Sequence, residues 1–289
     1  MFRSLKLGKV FGIELFVHGT FWLLPLFVLF SGMADGDGLA AVGTDVALVF
    51  AIFACVALHE LGHALAARAY GIGTRDITLY PLGGIASLER MPENPGREIA
   101  IALAGPAVNV VIAGALFSGF VGAAFLTTWT PSEQISGFDL FFSRVMLANI
   151  VLAAFNLLPC FPMDGGRVLR ALLATQLNRV RATEIAVSVG SVVALGFIAV
   201  GLYASHFGLI LVAVMVWLLG QAELASVRMR ARARAMRDRM SEWSEEPTGT
   251  PSTPVSPGFT GLAWDDARRV WVQYDSGRAV RVIDSSSPS

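Results

Sequence analysis

His59-Glu60-Leu61-Gly62-His63 combines two imidazoles and a carboxylate in the spacing that catalytic zinc sites use. Residues four apart on a helix share a face, so His59 and His63 can present two ring nitrogens to one metal ion. Glu60 then stands beside them, able to take a proton from bound water. This is the equipment of a metal-dependent hydrolase. Its setting is a run from Val46 to Tyr70 that is otherwise almost entirely apolar. An ionisable group at mid-bilayer costs on the order of 2.5–3.5 kcal/mol by insertion scales, so such groups persist where they are paired, metal-bound or functional. The pattern points to an active site inside a membrane.

Two histidines leave a catalytic zinc one protein ligand short, with the fourth position kept for water. Asp164 is the candidate. It lies in Asn156-Leu157-Leu158-Pro159-Cys160-Phe161-Pro162-Met163-Asp164-Gly165-Gly166-Arg167, where two prolines break a helix and two glycines allow a tight backbone after the acid. Irregular backbone at membrane depth is tolerated when protein encloses it or it lines a wet cavity. No basic residue lies within a helical turn of Glu60, which favours a base over a buried ion pair. Cys55 and Cys160 read as small packed side chains, and two cysteines give no disulfide framework. His18 and His206, at span ends, read as interfacial imidazoles.

The elements that must hold these groups follow from hydropathy. The chain has 289 residues, 54% of them hydrophobic and 15% charged, which is too apolar for a soluble globular domain. Six segments are long enough to span a bilayer: 15–30, 46–70, 99–125, 140–158, 185–204 and 207–227. The zero net charge hides an asymmetry. Arg3, Lys6 and Lys9 precede the first span; Arg68, Arg75, Arg90 and Arg97 lie between the second and third; Arg167, Arg170, Arg179 and Arg181 between the fourth and fifth. The alternate loops carry only Arg144, and the first of them is acidic at Asp35, Asp37 and Asp45. The positive-inside rule then places both termini in the cytoplasm of a multi-pass plasma-membrane protein. No cleavable signal peptide is expected. His59 should lie roughly 20 Å below the outer start of its helix, in the cytoplasmic half, where the break at Asp164 also falls.

These residues resemble the site-2 protease family of intramembrane zinc metalloproteases, the M50-like peptidases. The resemblance rests on His59 to His63 in one span and Asn156 to Gly166 in a later one, and covers roughly residues 5 to 228. It implies one zinc ion per chain held by His59, His63 and Asp164, Glu60 as catalytic acid and base, and Asn156 polarising or holding the scissile peptide. Leu5 to Glu14 is similar to the family's short strand before its first span. Ile77 to Leu88 resembles its strand after the zinc helix, where substrate is thought to bind. Read without the family, that stretch is already a short strand, with Gly83 and Gly84 permitting close backbone approach. Asn109 reads equally as a hydrogen-bonding group near the site or as a helix-packing amide. The chain departs from several members in showing no PDZ insertion and no regulatory module of the cystathionine-synthase type.

Three regions are expected: a metalloprotease core over 1–228, a basic helix and Ser/Thr/Pro-rich linker over 229–257, and a small β-hairpin tail over 258–289. The fold class is a polytopic α-helical membrane protein of about six spans with a small β-sheet at the cytoplasmic face. The expected activity is zinc-dependent cleavage of transmembrane or membrane-proximal protein segments. Partners are a transmembrane protein substrate and the bilayer; no nucleic acid is expected, and self-association is compatible with the sequence. A metal-ion carrier using the same polar cluster is the rival reading, although a carrier has no need of Glu60 at catalytic spacing.

Overall fold

A computed structural model of the chain describes residues 4–81, 83–90, 92, 94–126, 137–244, 255–266 and 269–284. It divides into two compact units, Met1–Ala225 and Ser226–Ser289.

The first unit begins with β1 (Leu5–Val10) and β2 (Ile13–Val17), then a 3-10 turn (Gly19–Trp22) and α1 (Leu23–Ala34). Leu5 to Glu14, expected as one strand, is a hairpin. Phe11 at φ 48° and Gly12 at φ 86° form the two-residue turn with positive φ that suits the twist of paired strands. The first expected span, 15–30, is corrected by the same observation, because its opening residues Leu15–Val17 belong to β2. An unbroken apolar run does not reveal where the period changes from 2 to 3.6. The apolar helical segment that follows, Gly19–Ala34, is shorter than a full span. Among the described residues, five helices are long and apolar enough to cross a membrane: Leu39–Ala69 (α2), Pro95–Leu126 (α3), Gly137–Asn156 (α4), Arg179–Tyr203 (α6) and Phe207–Ser244 (α7). Between α4 and α6 lies a short helix, α5 (Asp164–Leu173).

After α2 the chain forms β3 (Thr74–Tyr80) and β4 (Gly83–Leu88), so the single strand expected over Ile77 to Leu88 is two strands around residues 81–82. The four strands make one sheet in the order β1-β2-β3-β4. Its central pair, β2 with β3, is parallel, whereas the outer pairs are antiparallel hairpins. Parallel strands need a long crossover, here α1 and α2. Alternate residues Ile13, Val17, Ile77 and Leu79 turn inward and pack with Phe53, Ala64 and Phe21, which fastens the sheet to the zinc-motif helix.

Within the second unit, β5 (Gly261–Asp265) adds a third strand to the tail expected as a hairpin, giving an antiparallel sheet β5-β6-β7 with β6 at Val270–Asp275 and β7 at Arg278–Asp284. Trp264 and Trp271 face each other across β5 and β6 with ring centroids 5.4 Å apart. A third strand supplies the cross-strand contacts that an isolated hairpin lacks.

Candidate metal centre

The convergence begins with the crossing of α2 and α3. A Cβ on Gly62 would stand 2.9 Å from the Ala104 carbonyl oxygen, so its absence lets the two helices approach closely. His59 and His63, both buried, then face α3 across a gap kept open by Gly105. A Cβ on Gly105 would lie 2.2 Å from His63 Nε2 and 2.6 Å from His59 Nε2, in the space between the rings.

The third group arrives from α5. After α4 ends, residues 157–163 turn back on themselves through bonds such as Leu158 N to Phe155 O and Met163 N to Cys160 O. Asp164 then opens α5, where the helix N-terminus favours a carboxylate. Gly165 and Gly166 lie against the incoming loop, where any Cβ would sit within 2.3 Å of the Leu157 and Leu158 carbonyl oxygens or 2.6 Å of the Cys160 carbonyl carbon. The far end of α5 is held by Arg170, which is 1% exposed. It donates to Glu98 at the start of α3 and to Glu223 on α7 at 2.6 Å, and its guanidinium lies 5.0 Å from the Phe161 ring centroid.

The result is a triangle of acceptors. His59 Nε2 and His63 Nε2 are 3.0 Å apart, and Asp164 Oδ2 lies 3.2 Å from the first and 3.0 Å from the second. Two tetrahedral ligands at the usual 2.0–2.1 Å from zinc are separated by roughly 3.3 Å, so the triangle has the footprint of that ion. Among the described residues this is the cluster able to hold a metal.

The ring tautomers follow from a chain of hydrogen bonds with a fixed end. The Val145 carbonyl can only accept, so the Asn149 Nδ2 that lies 2.9 Å from it donates. Asn149 therefore offers Oδ1 to Asn109 Nδ2 at 3.1 Å, and Asn109 offers Oδ1 to His59 Nδ1 at 2.6 Å. His59 Nδ1 carries the proton, which leaves a lone pair on Nε2. His63 is set more directly, donating from Nδ1 to the Ile101 carbonyl at 2.7 Å. Two imidazole lone pairs and a carboxylate oxygen thus point at one another, an arrangement that a cation satisfies.

Glu60 stands next to this cluster under β4. A Cβ on Gly84 would approach Glu60 Cγ to 2.5 Å, so Gly84 makes room for the glutamate itself, a purpose the sequence did not suggest. Gly83, at φ 138°, has a backbone that other residues rarely adopt, with open space around it. Asn156, at the end of α4, donates from Nδ2 to Leu152 O, 2.9 Å away. Asn109 is brought to the triangle, through His59. Cys55 accepts from Asn149 at 3.3 Å and Cys160 packs against Met163 at 3.7 Å, so both cysteines stay outside the metal cluster. His18 caps the 3-10 turn by accepting from Thr20 N. Gly105, Asn149 and Arg170 were given no role at the site from the sequence; an amide in the middle of an apolar span was a signal available at Asn149.

Comparison with known proteins agrees with this geometry. The sequence profile of peptidase family M50 matches residues 47–134 and 118–197. A zinc metalloprotease of Methanocaldococcus jannaschii is 35% identical over 214 residues, covering 74% of this chain and 58% of that protein. A Synechocystis protein is 31% identical over 272 residues, covering 89% of this chain and 67% of its own length. The solved structure of a site-2 protease from Methanocaldococcus jannaschii superposes with a TM-score of 0.56 at 32% identity, covering 77% of this chain and 95% of that one.

Proposed function

This chain belongs to peptidase family M50, and from that premise we propose that it is a zinc-dependent intramembrane endopeptidase that cleaves transmembrane or membrane-proximal segments of other proteins. The observation that carries the reading is the buried triangle of His59 Nε2, His63 Nε2 and Asp164 Oδ2, with edges of 3.0–3.2 Å, inside helices fit to cross a membrane. These three side chains would hold the metal. When bound, zinc lowers the pKa of a coordinated water and acts as a Lewis acid toward a carbonyl. Glu60 takes the proton from the attacking water and returns it to the leaving nitrogen. Asn109 and the Ile101 carbonyl keep the imidazoles in the ligating tautomer. Asn156 donates one of its two Nδ2 hydrogens to Leu152 O, which leaves the other hydrogen and Oδ1 for the scissile peptide.

A helix cannot be cut while its carbonyls are locked in i to i−4 hydrogen bonds, so the substrate unwinds and its freed backbone groups need partners. Strand β4 is one edge of its sheet, and its Gly84 rests on Glu60. A substrate strand added beside β4 would pass the catalytic base with its main chain paired. Substrates with Gly, Pro, Asn or Ser near the cut are therefore preferred, since each lowers the cost of unwinding.

Both termini face the cytoplasm of the plasma membrane, a reading supported by the arginine distribution. The pairing of β2 with β3 puts both strands on one side of the bilayer, so α1 and α2 between them must cross it an even number of times. Labelling of introduced cysteines tests this: one near Asp37 should react from outside intact cells and one near Arg90 should not. The outer loop around Glu133 lies outside the described residues. The activity is tested by cleavage of a membrane reporter together with metal analysis. Glu60→Gln should keep zinc and lose cleavage, whereas His63→Ala and Asp164→Ala should lose both. Full zinc and full cleavage in Asp164→Ala would overturn the assignment. The carrier alternative finds no support in the family comparison.

A further inference from the structure

We propose that the second half of α7, from Arg228 to Met240, is a docking face for an acidic amphipathic helix of a partner protein. Met229, Ala233, Met236 and Met240 recur at spacings of four, three and four, which places them in one narrow stripe of the helix. That is the spacing of a coiled-coil seam, narrower than the face a helix buries in a globular core. Met229 and Met236 are 64% and 63% exposed, so among the described residues none covers the seam at those positions. With the stripe as the a and d positions, the flanking e positions are Arg230 and Arg237 and the g positions are Arg232 and Arg239, all exposed. Each place that selects the partner of a two-stranded coiled coil is therefore an arginine.

That charge pattern decides the occupant. In a parallel pair of identical copies, g residues face e residues of the other helix; in an antiparallel pair, g faces g and e faces e. Either way arginine meets arginine, which disfavours self-pairing. A lipid surface is disfavoured by the stripe itself. A helix lying in the bilayer interface buries a broad apolar face that carries Trp, Phe or Leu, and from Arg228 to Met240 the apolar residues are Met and Ala alone. Aspartate or glutamate at a partner helix's e and g positions would complement the arginines. Unbranched methionines adapt to the packing of different partners.

The test uses the full-length protein in zwitterionic lipid nanodiscs and two fluorescent synthetic helices, each about three heptads long with the same Ile/Leu seam. One carries Glu at every e and g position, the other Lys. The acidic helix should bind and the basic one should not, and replacing Arg230, Arg232, Arg237 and Arg239 together with Glu should reverse the preference. Met229→Asp with Met236→Asp, arginines intact, should weaken binding about tenfold or more, the loss expected when apolar burial at two side chains is removed. Wild-type affinity in that double variant would reduce the contact to unspecific charge attraction and overturn the proposal. A solvatochromic dye on Met236→Cys, in discs containing anionic lipid and no peptide, should report water; a lipid-like spectrum would identify the bilayer as occupant instead. Dimerisation of the full-length protein that disappears in the double Asp variant would likewise overturn it.

Discussion

Gly105→Ala should empty the metal site while leaving the helices in place. The added methyl carbon would stand 2.2 Å from His63 Nε2, 2.6 Å from His63 Cε1 and 2.6 Å from His59 Nε2, where non-bonded carbon contacts ordinarily begin near 3.5 Å. At least one ring must retreat by about 1 Å, whereas a zinc site tolerates ligand displacements of about 0.2 Å. The retreat is hindered, because each ring is tied at Nδ1, to Asn109 and to Ile101 O. Alanine is the better helix former by about 1 kcal/mol in a helix interior, so loss of function here cannot be attributed to weaker helix propensity. Zinc per chain should fall to under about a tenth, and cleavage by at least about 100-fold, the scale of a 1 Å misplacement in an active site. The control is Gly114→Ala on the same helix, where the new Cβ meets nothing within 4 Å; zinc and activity should match the wild type. The assay pairs metal analysis of the purified protein with reporter cleavage and far-ultraviolet circular dichroism. Full zinc in Gly105→Ala would refute the reasoning, since the rings would have to coordinate around an atom that occupies their meeting point.

Asn109→Leu should weaken zinc binding by about 10–100-fold in chelator competition, the usual cost of removing the partner that orients a ligating histidine. Asn149→Leu should do so less, because it acts one bond further away, and equal effects would argue against the relay. Arg170→Met leaves Glu98 buried beside Arg179 alone, and should lower stability by about 3–5 kcal/mol, read as a fall in denaturation midpoint; Glu98→Gln in the same chain should recover part of that loss. Gly84→Val should retain zinc and lose cleavage, because the added Cβ lands on Glu60 Cγ; undiminished cleavage would remove β4 from the account of the site.

The zinc motif was legible because its spacing is local: His59, Glu60 and His63 lie within two turns of one helix. Asp164 was legible for a different reason, since prolines and glycines mark a backbone that must depart from a helix inside an apolar span. Gly105 and Asn149 escaped because their roles exist only once α2, α3 and α4 have packed, and nothing in the neighbouring sequence encodes that meeting. Residues 15–17 were misread for want of contrast: a strand with two apolar faces and the start of a helix look alike in composition. β5 carries too little alternation over its five residues to stand apart from the linker before it. The basic helix from residue 229 was read as a region apart from the sixth span. Its continuity with α7 is a matter of backbone, which composition does not report.

The parallel register of β2 against β3 also sets an order of assembly. Val17 finds its place opposite Leu79 only after α1, α2 and most of β3 have left the ribosome. The amino-terminal hairpin must therefore wait, with β2 unpaired along one side, while the helix bearing the zinc motif is handed to the membrane. The sheet edge beside Glu60 comes into being last, so a nascent chain holds no substrate platform until its catalytic helix is already embedded. Anything fused to or cut from the first residues would be felt not where it is made but at β4, through two intervening strands.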